Sequence, residues 1–235
     1  MQTYSCSSEP TPFTRLQSIL YRKPNVRVLI LDLETNGLSS RSSVLSVTAE
    51  KFLFVGPRSL TAETGCLEHI EQLERMGWFH RFYYSREPEN PEAIQINGLD
   101  RDTIQEEREG KVWPEFFDED YEFREFCEGI DLVVGHNVTF DLQFCPFLSG
   151  KDWFCTMRAH TVKKFPSLRR LAERYSIPIE EGRLHQGEYD VALTKEIFNR
   201  ILQDLDVYVS LEKKGYPAKG IKQERRQEIL SRLGF

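Results

Sequence analysis

An α/β fold organised around a mixed sheet is predicted by three features of the sequence. Two short aliphatic, β-branched runs, residues 26–33 (interrupted by Arg27) and 131–134, read as buried strands, because only a strand covered on both faces tolerates such near-continuous hydrophobicity. Residues 44–55 and 78–84 read as hairpin-type strands, which makes the early part of the sheet antiparallel. Further on, strands and helical patterns alternate, as parallel additions to a sheet require. At 235 residues, with 40% hydrophobic and 29% charged residues, the chain is long enough for one substantial core and short for two.

Taken in order, Phe13, Leu16, Ile19 and Leu20 recur at helical spacing before Pro24 stops the helix, which predicts a packing helix after a frayed start. The strand at 26–33 is closed by Asn36-Gly37. Residues 44–49 and 52–55 read as two further strands, ended by Gly56-Pro57. Leu67, Ile70, Leu73 and Met76 share a helical face, so a short amphipathic helix is expected between 61 and 76. A short charged helix starting from an Asp cap is expected at 102–109. Residues 115–128 are strongly acidic, with Tyr121, Phe123, Phe126 and Cys127 as a partial apolar face, which fits a solvated helix. After the strand at 131–134, a helix starts at 138, with Phe144, Phe147 and Leu148 continuing its apolar side. A final helix starts near Glu188, marked by the stripe Leu193, Ile197, Phe198, Ile201 and Leu202.

Composition bounds the function. A net charge of −6 argues against a surface coated with phosphate-binding cations, yet leaves room for a local basic cleft. The five cysteines (6, 66, 127, 145, 155) are odd in number and fit neither zinc-ligand nor redox spacing. With no apolar leader in residues 1–12 and no run long enough to cross a bilayer, the expectation is a soluble cytoplasmic protein in a reducing compartment, with no membrane partner.

Three places carry chemistry. In Asp32-Leu33-Glu34 the two carboxylates are two residues apart on a strand, so they project from the same face. Acids held side by side at the mouth of a core repel one another and are costly to desolvate unless a cation lies between them, and hard oxygen ligands suit magnesium or manganese. Taken alone, such a pair equally fits acids facing water at a strand end. The second place is His136-Asn137 at a strand end, followed by Phe140-Asp141. An acid in a first helical turn also serves simply to complement the helix dipole. The third is His185, in a loop, and Asp190, in the helix that follows; a lone His in such a loop is by itself an ordinary surface residue.

Taken together and in order, Asp32-x-Glu34-Thr35-x-Gly37-Leu38, His136-Asn137-x-x-Phe140-Asp141 and His185-x-x-x-x-Asp190 resemble the DEDDh branch of the DnaQ-like 3′–5′ exonucleases, which includes polymerase proofreading subunits, RNase T and oligoribonuclease. The resemblance extends from Val26 to Leu202. It departs from the family pattern at Asn97-Gly98-Leu99, where a His-Gly-Ile type turn is common, and over residues 56–80, which read as an insertion. It implies an RNase H-like α/β fold, a mixed twisted sheet flanked by helices, with 26–33 as the central strand. Residues 1–25 would be an N-terminal extension, 26–210 the exonuclease domain and 211–235 a basic tail.

The resemblance also implies roles. Asp32, Glu34, Asp141 and Asp190 would hold two divalent ions, Mg2+ or Mn2+, about 4 Å apart, with Asp32 between them, Glu34 and Asp190 at the ion that activates water, and Asp141 at the other. His185 would take the proton of the attacking water. Thr35, Gly37 and Leu38 would hold the terminal nucleotide, with His136, Asn137 and Phe140 near the next one. The implied activity is release of nucleoside monophosphates from the 3′ end of single-stranded DNA or RNA, beside a polymerase or another replication or repair protein, or alone; oligomeric state is left open. An oligoribonuclease-like or tRNA-trimming enzyme is the alternative within that chemistry, separated by comparing ribo- and deoxyribo-oligomers. A catalytically silent binding module is the alternative outside it, separated by metal titration with a nuclease assay. One further feature bears on the substrate: Arg158, Lys163, Lys164, Arg169, Arg170 and Arg174, with Phe165 interleaved, make a basic stretch that fits either a phosphate track or a solvated helix face.

Overall fold

The computed structural model describes residues 10–56, 73–161, 164–215 and 231. Helix α1 (Pro12–Leu20) buries Phe13, Leu16, Ile19 and Leu20, the predicted stripe. Strand β1 (Val26–Thr35) pairs antiparallel with β2 (Val44–Phe54), which pairs antiparallel with β3 (Leu73–Phe82). Helices α2 (Pro91–Asn97), α3 (Arg101–Glu107) and α4 (Tyr121–Phe126) follow, then β4 (Leu132–Gly135), α5 (Val138–Asp141), β5 (Asp152–Cys155), α6 (Thr156–Ala159), α7 (Leu168–Arg174), α8 (Gly187–Gln203) and α9 (Leu205–Lys213). The sheet order is β3-β2-β1-β4-β5, with β4 parallel to β1 and β5 parallel to β4, so the 26–33 run is the central strand of a mixed sheet, as expected.

Both faces of β1 are covered, which is why its sequence is nearly continuous in aliphatic residues. Val28 and Ile30 join Phe52, α1 and the apolar stripe of α8 in one core layer, while Leu29, Leu31 and Leu33 join Phe79, Phe123, Val133 and Val138 in the other. Two remote carboxylates fix the periphery. Thr11, the N-cap residue of α1, makes no side-chain cap bond; instead Glu212 of α9 accepts from the amides of Phe13 and Thr14 at 3.1 and 2.9 Å and so caps the helix from 198 residues away. Buried Asp120 accepts from Tyr83 Oη at 2.8 Å and Arg81 Nη1 at 3.0 Å, tying the end of β3 to the start of α4.

Several elements differ from expectation. Residues 44–54 form one strand rather than two. The charged pair Glu50-Lys51 looks like a break but is absorbed by the sheet: buried Glu50 meets Arg75 at 2.7 Å and Lys195 at 3.5 Å, and Lys51 lies over the Phe126 ring. Leu73 and Met76 lie in β3, not in a helix, because Leu73 pairs with Phe54 and extends the edge strand five residues earlier than Trp78. The later part of the 56–80 segment is therefore sheet; residues 57–72 lie outside the described residues, as do Cys6, Cys66, Lys163 and most of the basic tail. Residues 91–97, to which the sequence patterns assign no element, form α2, with Asn90 as its cap. The helix at 138 ends after one turn rather than running on to Leu148. Cys127, Cys145 and Cys155 are free and buried, and among the described residues no helix is long and apolar enough to cross a membrane.

Candidate active site

The site lies at the ends of β1 and β4 from which the chain leaves the sheet toward Asn36 and α5. Asp32 and Glu34 stand on the face of β1 that α8 covers, since their in-register neighbours Thr48 and Ser46 continue the row begun by Val28 and Phe52. Asp141 is brought in by α5 and locked by the amide of Leu33, the residue between the two strand acids, which donates to Asp141 Oδ1 at 3.1 Å. Asp190, in the first turn of α8, accepts at Oδ2 from the amide of His185 at 3.2 Å. One ligand atom each from Glu34, His185 and Asp190 lie within 4.8 Å of one another.

α8 can approach this closely because Gly187 has no side chain. A Cβ there would stand 2.5 Å from Thr48 Oγ1 and 3.7 Å from Asp32 Oδ2. Thr48 cannot easily yield, since its hydroxyl is 2.7 Å from His80 Nδ1 on β3, so Asp32, Thr48 and His80 form one row across three strands.

Electrostatically the cluster is unfavourable without a cation. Burial, then repulsion from Glu34, Asp141 and Asp190, pushes Asp32 well above the usual carboxylate range. Burial and the charges of Asp190 and Asp141 raise Glu34 to about 8, against a lowering hydrogen bond from the Asn97 side chain. Burial raises Asp141 to about 7, opposed chiefly by the Leu33 amide, and Asp190 to about 6, opposed chiefly by the His185 amide. Among the described residues, Asp32 Oδ2 and Asp190 Oδ1 are buried with no hydrogen-bond donor. Clustered hard oxygens with no donor of their own are the chemistry that a divalent ion satisfies, so these residues fit such a metal.

The other sequence candidates fall into two groups. Thr35, Gly37 and Leu38 form a braced turn after β1: Thr35 Oγ1 donates to the Gly37 carbonyl at 2.7 Å, Asn97 Nδ2 donates to the Thr35 carbonyl at 3.2 Å, and Asn36 is bonded to Ser85 and Pro88. Leu38 is 88% exposed at its tip. Asn137 holds a left-handed backbone (φ 71°) at the start of α5, and Phe140 lies half-buried with its ring 5.2 Å from that of Phe144. His136 is held through both ring nitrogens. Its Nε2 donates to the Pro166 carbonyl at 3.1 Å and its Nδ1 accepts from the Thr156 hydroxyl at 3.0 Å; burial pushes it down to about 4. Both ring nitrogens are engaged inside the fold, so His136 braces the site.

His185 is exposed and also left-handed (φ 66°), an uncommon backbone for a non-glycine residue. Its loop is pinned by the Glu180 amide donating to Tyr189 Oη and by the Arg183–Glu180 pair at 2.9 Å. Asn97, Thr48 and His80 also stand at the site; the resemblance touches Asn97 only as a departure from the family turn, and the motifs miss Thr48 and His80. For Asn97 the signal is its position before a left-handed Gly98; Thr48 and His80 carry none without the strand register.

No family model matches the chain, and no curated protein does. Among solved structures, E. coli Exonuclease I in complex with a dT13 oligonucleotide is similar at a TM-score of 0.50 and 13% identity, over 88% of this chain and 46% of that one. The chain thus spans under half the length of that protein. The complex described as 3′-end specific recognition of histone mRNA stem-loop by 3′-exonuclease is similar at 0.49 and 15% identity, over 77% of this chain and 84% of the other. Exonuclease X in complex with 5′ overhanging duplex DNA gives 0.46 and 16%, over 86% and 98%. At such identities the likeness to exonuclease I shows the fold alone, an RNase H-like mixed sheet flanked by helices.

Proposed function

We propose that this chain is a divalent-metal-dependent exonuclease that hydrolyses phosphodiester bonds from the 3′ end of single-stranded nucleic acid, releasing nucleoside monophosphates. The observation that supports it best is the convergence of Asp32, Glu34, Asp141 and Asp190 from three separate chain segments, with two of their buried oxygens lacking any donor among the described residues. A binding module without metal would carry this repulsion to no purpose.

Asp32 feels the charges of all three other acids; it would be shared between two ions, with Glu34 and Asp190 holding one and Asp141 the other. Bound there, magnesium or manganese ions supply activation of the attacking water and stabilisation of the leaving 3′ oxygen. His185, beside Glu34 and Asp190 yet open to solvent, accepts the proton given up by that water, a task worth about 10²–10⁴ in rate. The backbone of Thr35 and the exposed side chain of Leu38 hold the terminal nucleotide, with Asn137 and Phe140 beside the next. The similar exonuclease I structure contains dT13, so single-stranded DNA is the first substrate to try, with RNA of equal sequence beside it.

The test is a ladder assay. A 5′-labelled oligomer with a free 3′ hydroxyl should shorten stepwise from that end with Mg2+ or Mn2+ and stay intact with chelator, and a blocked 3′ end should protect it. No metal-dependent shortening of either DNA or RNA refutes the proposal.

A further inference from the structure

We infer that a surface made by Arg158, Lys164 and Phe165 carries the upstream part of the single strand whose 3′ end lies at the carboxylates; this rests on the exonuclease reading above. In a chain of net charge −6, several surface arginines are already matched by acids: Arg169 by Glu173 and Glu181, Arg183 by Glu180, Arg86 by Asp118 and Glu119. Arg158 is not. Its Nη2 donates to the neutral hydroxyl of Thr139 at 3.1 Å, and among the described residues neither it nor Lys164 is paired with a carboxylate. The Arg158 guanidinium lies 5.8 Å from the centre of the Phe165 ring, which is 57% exposed. An aromatic ring left in water beside two unmatched cations is the combination that stacks a base while neighbouring charges meet phosphates, without sequence preference.

Position selects the occupant. Two hydrogen bonds join this surface to the site: Arg158 to Thr139, two residues before Asp141 in α5, and His136 to the carbonyl of Pro166, next to Phe165. With a rise of about 1.5 Å per helical residue, the surface begins within about one turn of Asp141. A strand leaving the Asn137–Phe140 position therefore meets Arg158 next. The same hydrogen bonds give the bracing of His136 a purpose, since it holds the 158–166 segment against the site.

The experiment is binding of 5′-fluorescein-labelled dT12 to the full chain in chelator, read by anisotropy at several salt concentrations. Phe165→Ala should weaken binding about 5- to 150-fold, the range for removing one stacked base, and Phe165→Trp should restore it. Lys164→Glu should weaken binding and flatten the logarithmic salt slope by about 0.7 for each phosphate no longer neutralised. Lys151→Glu, the same charge change at the end of β5 remote from the site, should leave affinity within about twofold. Unchanged affinity in Phe165→Ala and Lys164→Glu overturns the assignment, and so does an equal drop in Lys151→Glu, which would mean diffuse attraction. A parent that binds dT12 yet releases no mononucleotide with Mg2+ or Mn2+ refutes the exonuclease reading alone.

Discussion

Substituting Asp32 by Asn should stabilise the metal-free protein and abolish its response to metal. Each site acid has a folded-state value above its unfolded one, so the stability it contributes is present below about pH 4 and is lost as pH rises through about 6 for Asp190, 7 for Asp141 and 8 for Glu34. Near pH 8 without metal the cluster is repulsive, and a carboxyl group whose folded-state pKa stands one pH unit above its unfolded value costs the ionised protein about 1.4 kcal/mol. Asp32 is raised first by burial and then by the charges of Glu34, Asp141 and Asp190, and Asn is neutral at every pH, so Asp32→Asn should melt several degrees higher than the parent at pH 8 in chelator. The difference should close toward pH 4. Buried His136 and His160, both pushed down to about 4, destabilise either protein equally in acid and cancel from the comparison. In the parent, metal at 100 times its dissociation constant adds about 2.7 kcal/mol, which for a chain of this size is roughly 5–11 °C; Asp32→Asn should show almost none of it. Thermal denaturation with chelator, Mg2+ and Mn2+ at pH 5 and 8 measures all of this. An Asp32→Asn protein that melts lower than the parent in chelator at pH 8, or that keeps the full metal response, refutes the picture of a repulsive cluster built for cations.

Other expectations follow from the same geometry. Asp32→Ala or Asp190→Ala should abolish metal-dependent release of mononucleotides while circular dichroism shows a folded protein; release at the parent rate would remove them as ligands. His185→Ala should slow turnover about 10²–10⁴-fold yet keep the metal-induced rise in melting temperature, and disappearance of that rise would make the imidazole a ligand rather than a proton acceptor. Gly187→Ala should cost about 1–3 kcal/mol by forcing α8 off Thr48, with activity falling alongside; a neutral effect on both would show that Thr48 and His80 can yield. Glu212→Ala should cost about 1 kcal/mol through the uncapped start of α1 and leave nuclease activity intact, as melting and ladder assays on the same preparation will tell.

The sequence alone determined whatever depends on local periodicity. Alternation along a strand put Asp32 and Glu34 on one face, the aliphatic run marked the central strand, and the stripe of α8 placed its start within one residue of Gly187. Tertiary structure decided what depends on strand register and long-range approach. The amide of Leu33 reaching Asp141, the Asp32–Thr48–His80 row, the glycine that lets α8 close on β2 and the internal commitment of His136 all join residues tens of positions apart. The same limit explains why Glu50-Lys51 reads as a break between two strands: charges that end a strand in water continue it when Arg75, Lys195 and Phe126 are there to receive them, and only the folded chain supplies those partners.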